Sequence, residues 1–533
     1  MKIKIHTGKD FASSGRIRDF VAASFSILPL FLVACTHVTN VPLEVFDPEG
    51  TTAYRYVPRP DQDTLSVATF SGGGKRAAAL SYGALETLAA LPAPGGGTLL
   101  DHLDIVSSVS GGSVTAAWYA LNGPSAVLNS SADNAMRRFL YHDWTLALVW
   151  RTLNPLALVR YGITRYSRSD MLADFYAEHL LGNADYGDVQ KKYAAERSVP
   201  YLMLNATDVG HQIGFPFTQG RFDLICSDLT KYRLADAVAA SSNFPLAFSA
   251  TGLQNYSPCP AQRSLIWKGA GPRQWVAHYE RFNDPREPAP SAFQVGQLRQ
   301  ARMAKQLLSP ADGDRYIHLL DGGLIDNLGI RSTLAIEDDP ARVPGLYLRI
   351  GPTRPNGYER VQRILYFAVN ARTRDTADVD RSKFAPGIVA IIEKMITVQL
   401  SNAILTDEDY LIAELEAAGS TAIDPAKPPT TRGPFLSDKP TAMARIPAAN
   451  AASKVRLYLV AVDFDMIPDP SCRAYFWSMK TNWALANSDV DALRRMAAVL
   501  ISRSPGLKLY YQETGGTAPP ELDFTKACEV ATK

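Results

Sequence analysis

Residues 107–113 read Ser107-Ser108-Val109-Ser110-Gly111-Gly112-Ser113. They follow a short apolar run at 103–106 and precede an Ala- and aromatic-rich stretch, 114–121, that reads as a helix. A serine between a strand and a helix, with glycine after it, has the layout of a nucleophile elbow, normally Gly-x-Ser-x-Gly. Here Ser108 stands at the first glycine. Taken alone, the stretch reads either as an elbow with Ser110 as nucleophile or as an ordinary polar turn.

The flanking sequence extends the pattern. Residues 65–70 form an alternating apolar run, 72–74 are three glycines, 76–91 are Ala/Leu-rich, and 104–108 are apolar again. Strand, helix and strand over some forty residues predict a βαβ unit and hence a parallel sheet. Further strands are expected at 199–205, 316–320 and 345–350, with a helix at 234–240. Residues 253–314, rich in Pro, Arg and Gln, read as an insertion that is helical in part near 293–308. Beyond 351 the texture changes. Helices are expected at 358–374, 386–405 and 490–502, a Pro/Ala/Thr-rich loop at 417–453, and a strand at 455–464. We divide the chain into 64–351, a catalytic α/β domain, and 352–533, a mainly helical extension that either stands apart or packs on the same core.

The glycine run is not a nucleotide loop. Thr69 stands where a Walker motif needs its first glycine, and Arg76 where it needs Ser or Thr. Ala77 ends any dinucleotide fingerprint. Three glycines opening a helix still expose backbone N–H groups at a positive dipole end, which suits an anion or a transient oxyanion. Gly72, Gly73 and Gly74 are therefore candidate oxyanion donors, and Arg76 a candidate either to hold the loop or to bind substrate through a phosphate; a flexible turn is the plainer reading.

A serine nucleophile needs a base. No histidine lies beyond His318, so the usual order of Ser, acid, then a C-terminal His is absent. His278 or His318 could complete a triad, but neither carries a loop signature. Asp321 is the better candidate. It ends the apolar run 316–320 and is followed by Gly322-Gly323. Ligands of open parallel sheets bind beyond the carboxyl ends of the strands, and Ser110, the glycine run and Asp321 each stand at such an end. A turn aspartate supported by glycine is the alternative.

With these three motifs in place the chain resembles the patatin-like phospholipases. Gly72-Gly73-Gly74-Lys75-Arg76 matches that family's glycine-rich loop, Ser108-Val109-Ser110-Gly111-Gly112 its elbow, and Asp321-Gly322-Gly323 its aspartate box. The stretch 239–245, with Ser241 and Pro245, and Asp326-Asn327 fit as well. The resemblance covers about residues 64–350. It implies a three-layer α/β/α fold with a mainly parallel central sheet. It also implies a Ser110–Asp321 dyad without histidine, an oxyanion hole on the glycine run, and hydrolysis of phospholipid or lysophospholipid esters with neither metal nor other cofactor. A non-catalytic relative that binds lipid, and a soluble-ester hydrolase with a Ser-His-Asp triad, remain as alternatives.

The N-terminus suggests where this chemistry would take place. Five basic and two acidic residues surround or precede an apolar run at 20–34 that ends Leu32-Val33-Ala34-Cys35. This is the pattern of an export signal closing in a lipobox, with Cys35 as the lipidated residue, 1–34 removed and 35–63 a tether. Thr36 after the cysteine favours the outer membrane, given a Gram-negative source. Loss of 1–34 takes the net charge from +2 to −1, which gives no case for a nucleic-acid partner. Cys226, Cys259, Cys472 and Cys528 remain, as two disulfides or as free thiols. Residues 144–168 mix Trp, Leu, Tyr and Arg. That composition suits a membrane interface or an acyl-binding lid, but packing of the apolar residues in the core is the working expectation.

Overall fold

The computed structural model describes residues 37–45, 53–57, 62–260 (without 130, 132, 133 and 197), short pieces between 303 and 310, and residues 315–334, 360–373 and 456–532 (without 482). The signal, Cys35, the expected strand at 345–350, the helix at 386–405, the loop at 417–453 and most of the insertion lie outside the described residues.

The first strand, β1 (Thr64–Phe70), is buried along nearly its whole length, as a strand covered on both faces must be. It is followed by α1 (Gly74–Ala90) and then β2 (Ile105–Val109). Next come α2 (Gly111–Asn122), two short helices in succession, α3 (Thr145–Leu153) and α4 (Pro155–Ile163), and then β3 (Tyr201–Asp208). β1 pairs with β2, and β2 with β3, all in parallel. A short strand, β4 (Ile213–Pro216), turns back antiparallel on β3. The remaining strands are β5 (Thr251–Gln254), β6 (Tyr316–Asp321), β7 (Arg363–Asn370) and β8 (Arg456–Asp463). The sheet runs β5-β6-β3-β2-β1-β7-β8, with β4 off this path. Helices flank this mostly parallel sheet, in the expected α/β/α architecture.

Two readings need correction. Within the segment at 358–374, read as a helix, residues 363–370 form strand β7, with sequence RILYFAVN, lying parallel between β1 and β8. Every residue after Arg363 is buried. A continuous apolar run carries no period, so helix and buried strand look alike in sequence, and here the sheet decides. The second concerns β6. The sequence reading puts Asp321 at the end of a parallel strand, but β6 runs antiparallel to β3. It meets only the last three residues of β3, with Ala206 opposite Asp321 and Asp208 opposite Leu319. This offset register lays β6 outward past the end of β3 and returns Asp321 to the same sheet edge.

The described C-terminal residues share one hydrophobic core with the rest. The helix α5 (Asn487–Arg503) crosses α1 so closely that a Cβ on Gly83 would sit 2.5 Å from the Arg494 Cα. Arg494 then closes a two-pronged pair with Glu86, at 2.6 and 2.7 Å. Two disulfides, Cys226–Cys259 and Cys472–Cys528, tie off loops.

Candidate active site

The register brings the motifs to one level of the sheet. Phe70 lies beside Ser108, Val109 beside Asn205, and Ala206 beside Asp321. Ser110 is the next residue after β2 and the N-cap of α2, with φ 50° and ψ −121°. A non-glycine residue at positive φ is strained, and this strain turns the serine out of the strand-to-helix bend as an elbow does. The glycines after it are there for close packing. A Cβ on Gly111 would stand 2.0 Å from the Gly74 carbonyl oxygen, and one on Gly112 would stand 2.7 Å from those of Phe70 and Ser71. The elbow is thus pressed against the glycine loop, with no room for a side chain between them.

Ser108, the departure from the elbow pattern, is accommodated by a chain of hydroxyls. Ser241 Oγ donates to the Asn205 carbonyl at 2.6 Å and accepts from the Ser110 N–H at 2.9 Å. Its one proton is committed, so Ser113 Oγ, 2.9 Å away, must donate to it. Ser108 Oγ, 3.1 Å from Ser113 Oγ, must in turn donate to that. Every hydroxyl in the line is buried. Asn205 holds the other side: its Nδ2 donates to Ser107 Oγ and the Ser108 carbonyl, at 2.8 and 3.0 Å, and its Oδ1 accepts from Ser332 Oγ. Ser113 and Asn205 were not singled out from sequence, and Ser241 only as part of a matched segment. A polar residue near the carboxyl end of an otherwise apolar strand, as Asn205 is, was the available signal.

Asp321 is buried. Its backbone N–H donates to the Asn243 carbonyl at 3.1 Å, and its Oδ1 accepts from the Gly323 N–H at 2.9 Å. Burial pushes its pKa up to about 6, against the smaller opposing pull of the Gly323 N–H and of the Ser110 hydroxyl, its side-chain partner. The carboxyl is therefore ionised at neutral pH and close to its midpoint, which is where a general base works best. A Cβ on Gly322 would lie 2.2 Å from the Asn205 carbonyl oxygen, which explains the glycine after the aspartate. Asp326 caps the next helical turn through the N–H groups of Ile330 and Arg331, at 3.1 and 2.9 Å.

The glycine loop divides its roles. The Gly72 N–H donates to the Asn327 carbonyl at 3.1 Å, so Gly72 drops out as an oxyanion donor. The N–H groups of Gly73 and Gly74 have no acceptor among the described residues. Gly73 is the N-cap of α1 and Gly74 its first residue, where no intrahelical acceptor exists. Both take positive φ, 139° and 57°. Strand β7 shapes the loop from beside it: the Ser71 N–H donates to the Val369 carbonyl at 3.0 Å, and the Ala371 N–H donates back to Ser71 Oγ at 2.8 Å.

Arg76 does not face a substrate. Its guanidinium is buried and donates to the Ala371 and Met479 carbonyls, at 2.8 and 2.5 Å, and to Thr481 Oγ1 at 3.2 Å. Burial pushes its pKa down to about 9, still well above neutrality, so the charge stays. Of the two roles open to it, Arg76 takes that of holding the loop, as a buried clamp between the glycine run and the C-terminal region, and not that of substrate ligand. Lys75 behaves similarly, its Nζ donating to the His142 carbonyl at 2.8 Å.

The carboxyl in contact with the Ser110 hydroxyl is that of Asp321, and among the described residues neither histidine considered from sequence joins them. His318 is exposed on β6, on the opposite face of the strand from the buried Ile317, Leu319 and Asp321. His278 lies outside the described residues. Among those residues no group of three or more His, Cys, Asp and Glu side chains could hold a metal ion.

The family model described as patatin-like phospholipase matches residues 68–334, half of the chain. No curated protein matches the chain in sequence. Among solved structures, the human GIVD cytosolic phospholipase A2 is similar at 13% identity with a TM-score of 0.44, over 88% of this chain and 61% of that one. This chain thus spans less than two thirds of that protein's length. ExoU from the type III secretion system of Pseudomonas aeruginosa, in complex with SpcU, is similar at 17% identity with a TM-score of 0.21. That match covers 47% of this chain and 52% of the other. Likenesses this distant say nothing of function.

Proposed function

Since the chain belongs to the patatin-like phospholipase family, a family of lipid acyl hydrolases, we propose that it hydrolyses carboxylic esters of phospholipids or lysophospholipids through a Ser110–Asp321 dyad. The observation that carries the reading is the meeting of three features at one sheet edge. They are a serine at positive φ, a buried carboxylate in contact with its hydroxyl, and two backbone N–H groups without an acceptor among the described residues. Ser110 Oγ attacks the ester carbonyl while Asp321 takes its proton. The Gly73 and Gly74 N–H groups stabilise the oxyanion, a contribution of about 3–4 kcal/mol for a single such donor. Collapse breaks the bond to the alcohol, which leaves with the proton from Asp321. Water then attacks the acyl-serine, giving its proton to Asp321, which passes it to Ser110 Oγ as the acyl bond breaks and the fatty acid leaves.

We further propose that the protein acts as an exported lipoprotein held in the cell envelope through Cys35, with the outer membrane as its site. The Leu32-Val33-Ala34-Cys35 pattern supports this, as do the two disulfides, which persist in oxidising compartments. The test is fatty-acid release from phospholipid and lysophospholipid vesicles. Wild type should release it, Ser110→Ala and Asp321→Asn should not, and each histidine replaced in turn should leave it intact. Loss of activity on replacing one histidine would overturn the dyad.

A further inference from the structure

Two helices of the segment 144–168 do not bury the residues expected to pack. Helices α3 and α4 form a hairpin in which Leu148 and Tyr161 face inward. Leu146 and Trp150 on α3 are 79% and 66% exposed, and Leu156 and Val159 on α4 are 82% and 55% exposed. Spacings of three and four residues put each set on one helical face. Single exposed apolar residues are ordinary; two adjacent strips on neighbouring helices are not.

Position and charge narrow the occupant. The hairpin is tied to the site at both ends. Before it, the His142 carbonyl accepts from Lys75, next to the glycine loop. After it, Arg168 Nη1 donates to the Leu246 carbonyl at 3.0 Å, on the loop that starts at Asn243, the backbone partner of Asp321. Residues 144–169 hold four arginines and no acidic residue. Arg151 is paired with Glu178, Arg160 lies over the Tyr166 ring at 3.3 Å, and Arg165 is exposed. Apolar side chains flanked by arginine and aromatic rings match an anionic lipid surface: the first enter the acyl boundary, and the cations meet the headgroups.

We infer that the α3–α4 hairpin is an interfacial docking element that seats the catalytic edge of the sheet on an anionic phospholipid bilayer. The inference rests on the lipid-hydrolase reading above and adds the surface by which substrate is reached, separate from the anchor at Cys35. The probe is a full chain carrying Cys35→Ala, to remove the anchor, and Ser110→Ala, to prevent hydrolysis. It is floated with vesicles of equimolar phosphatidylcholine and phosphatidylglycerol.

The expected result is binding that weakens with salt and falls at least about tenfold on adding Leu146→Ser, Trp150→Ser and Leu156→Ser. Brominated acyl chains should quench the Trp fluorescence, and Trp150→Phe should remove most of that quenching. Arg160→Gln with Arg165→Gln leaves the apolar strips intact and should flatten the salt dependence. Vesicle binding and quenching that survive the three serine substitutions would overturn the inference. So would a dimer in sedimentation that the same substitutions dissociate, which would make the face a contact between copies. Neither readout uses catalysis, so if the chain with Ser110 intact and Cys35→Ala alone binds through the hairpin but releases no fatty acid, the hydrolase reading alone would sink.

Discussion

Replacing Asp321 by Asn should stabilise the fold while abolishing activity, and the stabilisation should depend on pH in a way that one carboxyl dictates. Asp321 titrates at about 6 in the folded protein because burial penalises its charge, whereas an exposed aspartate titrates near 3.9. Well below pH 4 the carboxyl is protonated in both states, so the variant and wild type should be nearly equal in stability. As pH rises from there, the unfolded chain ionises freely while the folded chain resists, and wild type loses stability until pH passes about 6. A raised pKa thus contributes stability at low pH that is lost on going up. The difference between the two titration points corresponds to roughly 3 kcal/mol. The asparagine amide retains an oxygen to accept from Gly323 but carries no charge, and so avoids the loss. The assay is urea unfolding or pulse proteolysis of both proteins across pH 4 to 8. The gap should open from near zero to a few kcal/mol in favour of the variant and level off above neutrality. The buried Asp463, also raised to about 6 with Asp465 beside it, gives wild type a second pH dependence; it cancels in the difference. A gap independent of pH, or a variant destabilised at pH 8, would refute the assignment of a buried base with a raised pKa.

Other outcomes follow from the same geometry. Activity on a soluble ester should rise with pH through about 6 as Asp321 ionises, read as the acid limb of kcat/KM. The hydroxyl chain has a direction, so truncations should be graded. Ser241→Ala orphans the Ser110 N–H and the Asn205 carbonyl and should cost about 1–3 kcal/mol in kcat/KM, whereas Ser108→Ala removes only a terminal donor and should cost little; circular dichroism checks that both fold. Gly111→Ala would put a methyl 2.0 Å from the Gly74 carbonyl oxygen, a clash with buried backbone, so turnover should collapse and the melting temperature should fall with it. Arg76→Met strands two buried carbonyls and should lower stability by roughly 2–5 kcal/mol. Its effect on kcat/KM should be the same for a neutral ester and a phospholipid, since Arg76 meets no headgroup.

Much of the site was legible because catalysis imposes residue types at fixed places along the chain. A serine at a strand end needs small residues beside it, and an aspartate meeting the same edge needs glycine after it. Those demands appear as Gly111-Gly112 and Gly322-Gly323. What stayed hidden depends on pairing. Nothing in 316–321 tells whether the strand runs with or against its neighbour, and nothing in RILYFAVN separates a buried strand from a buried helix. Arg76 looked like a ligand because its partners, Ala371, Met479 and Thr481, lie some 300 to 400 positions away and offer mostly backbone oxygens, which leave no mark in sequence. Likewise, the share of Trp and Leu in 144–168 is the same whether those side chains face the core or the solvent. Leu148 and Leu146 illustrate both outcomes on one helix.

The most direct test of the dyad is to label the folded full chain with a fluorophosphonate and map the adduct by mass spectrometry. The account predicts one adduct, on Ser110. It should be absent in Ser110→Ala, slowed strongly in Asp321→Asn, and formed faster in wild type as pH rises through about 6. A folded chain that takes no label, or that is labelled at another serine at the same rate with and without Asp321, would contradict it.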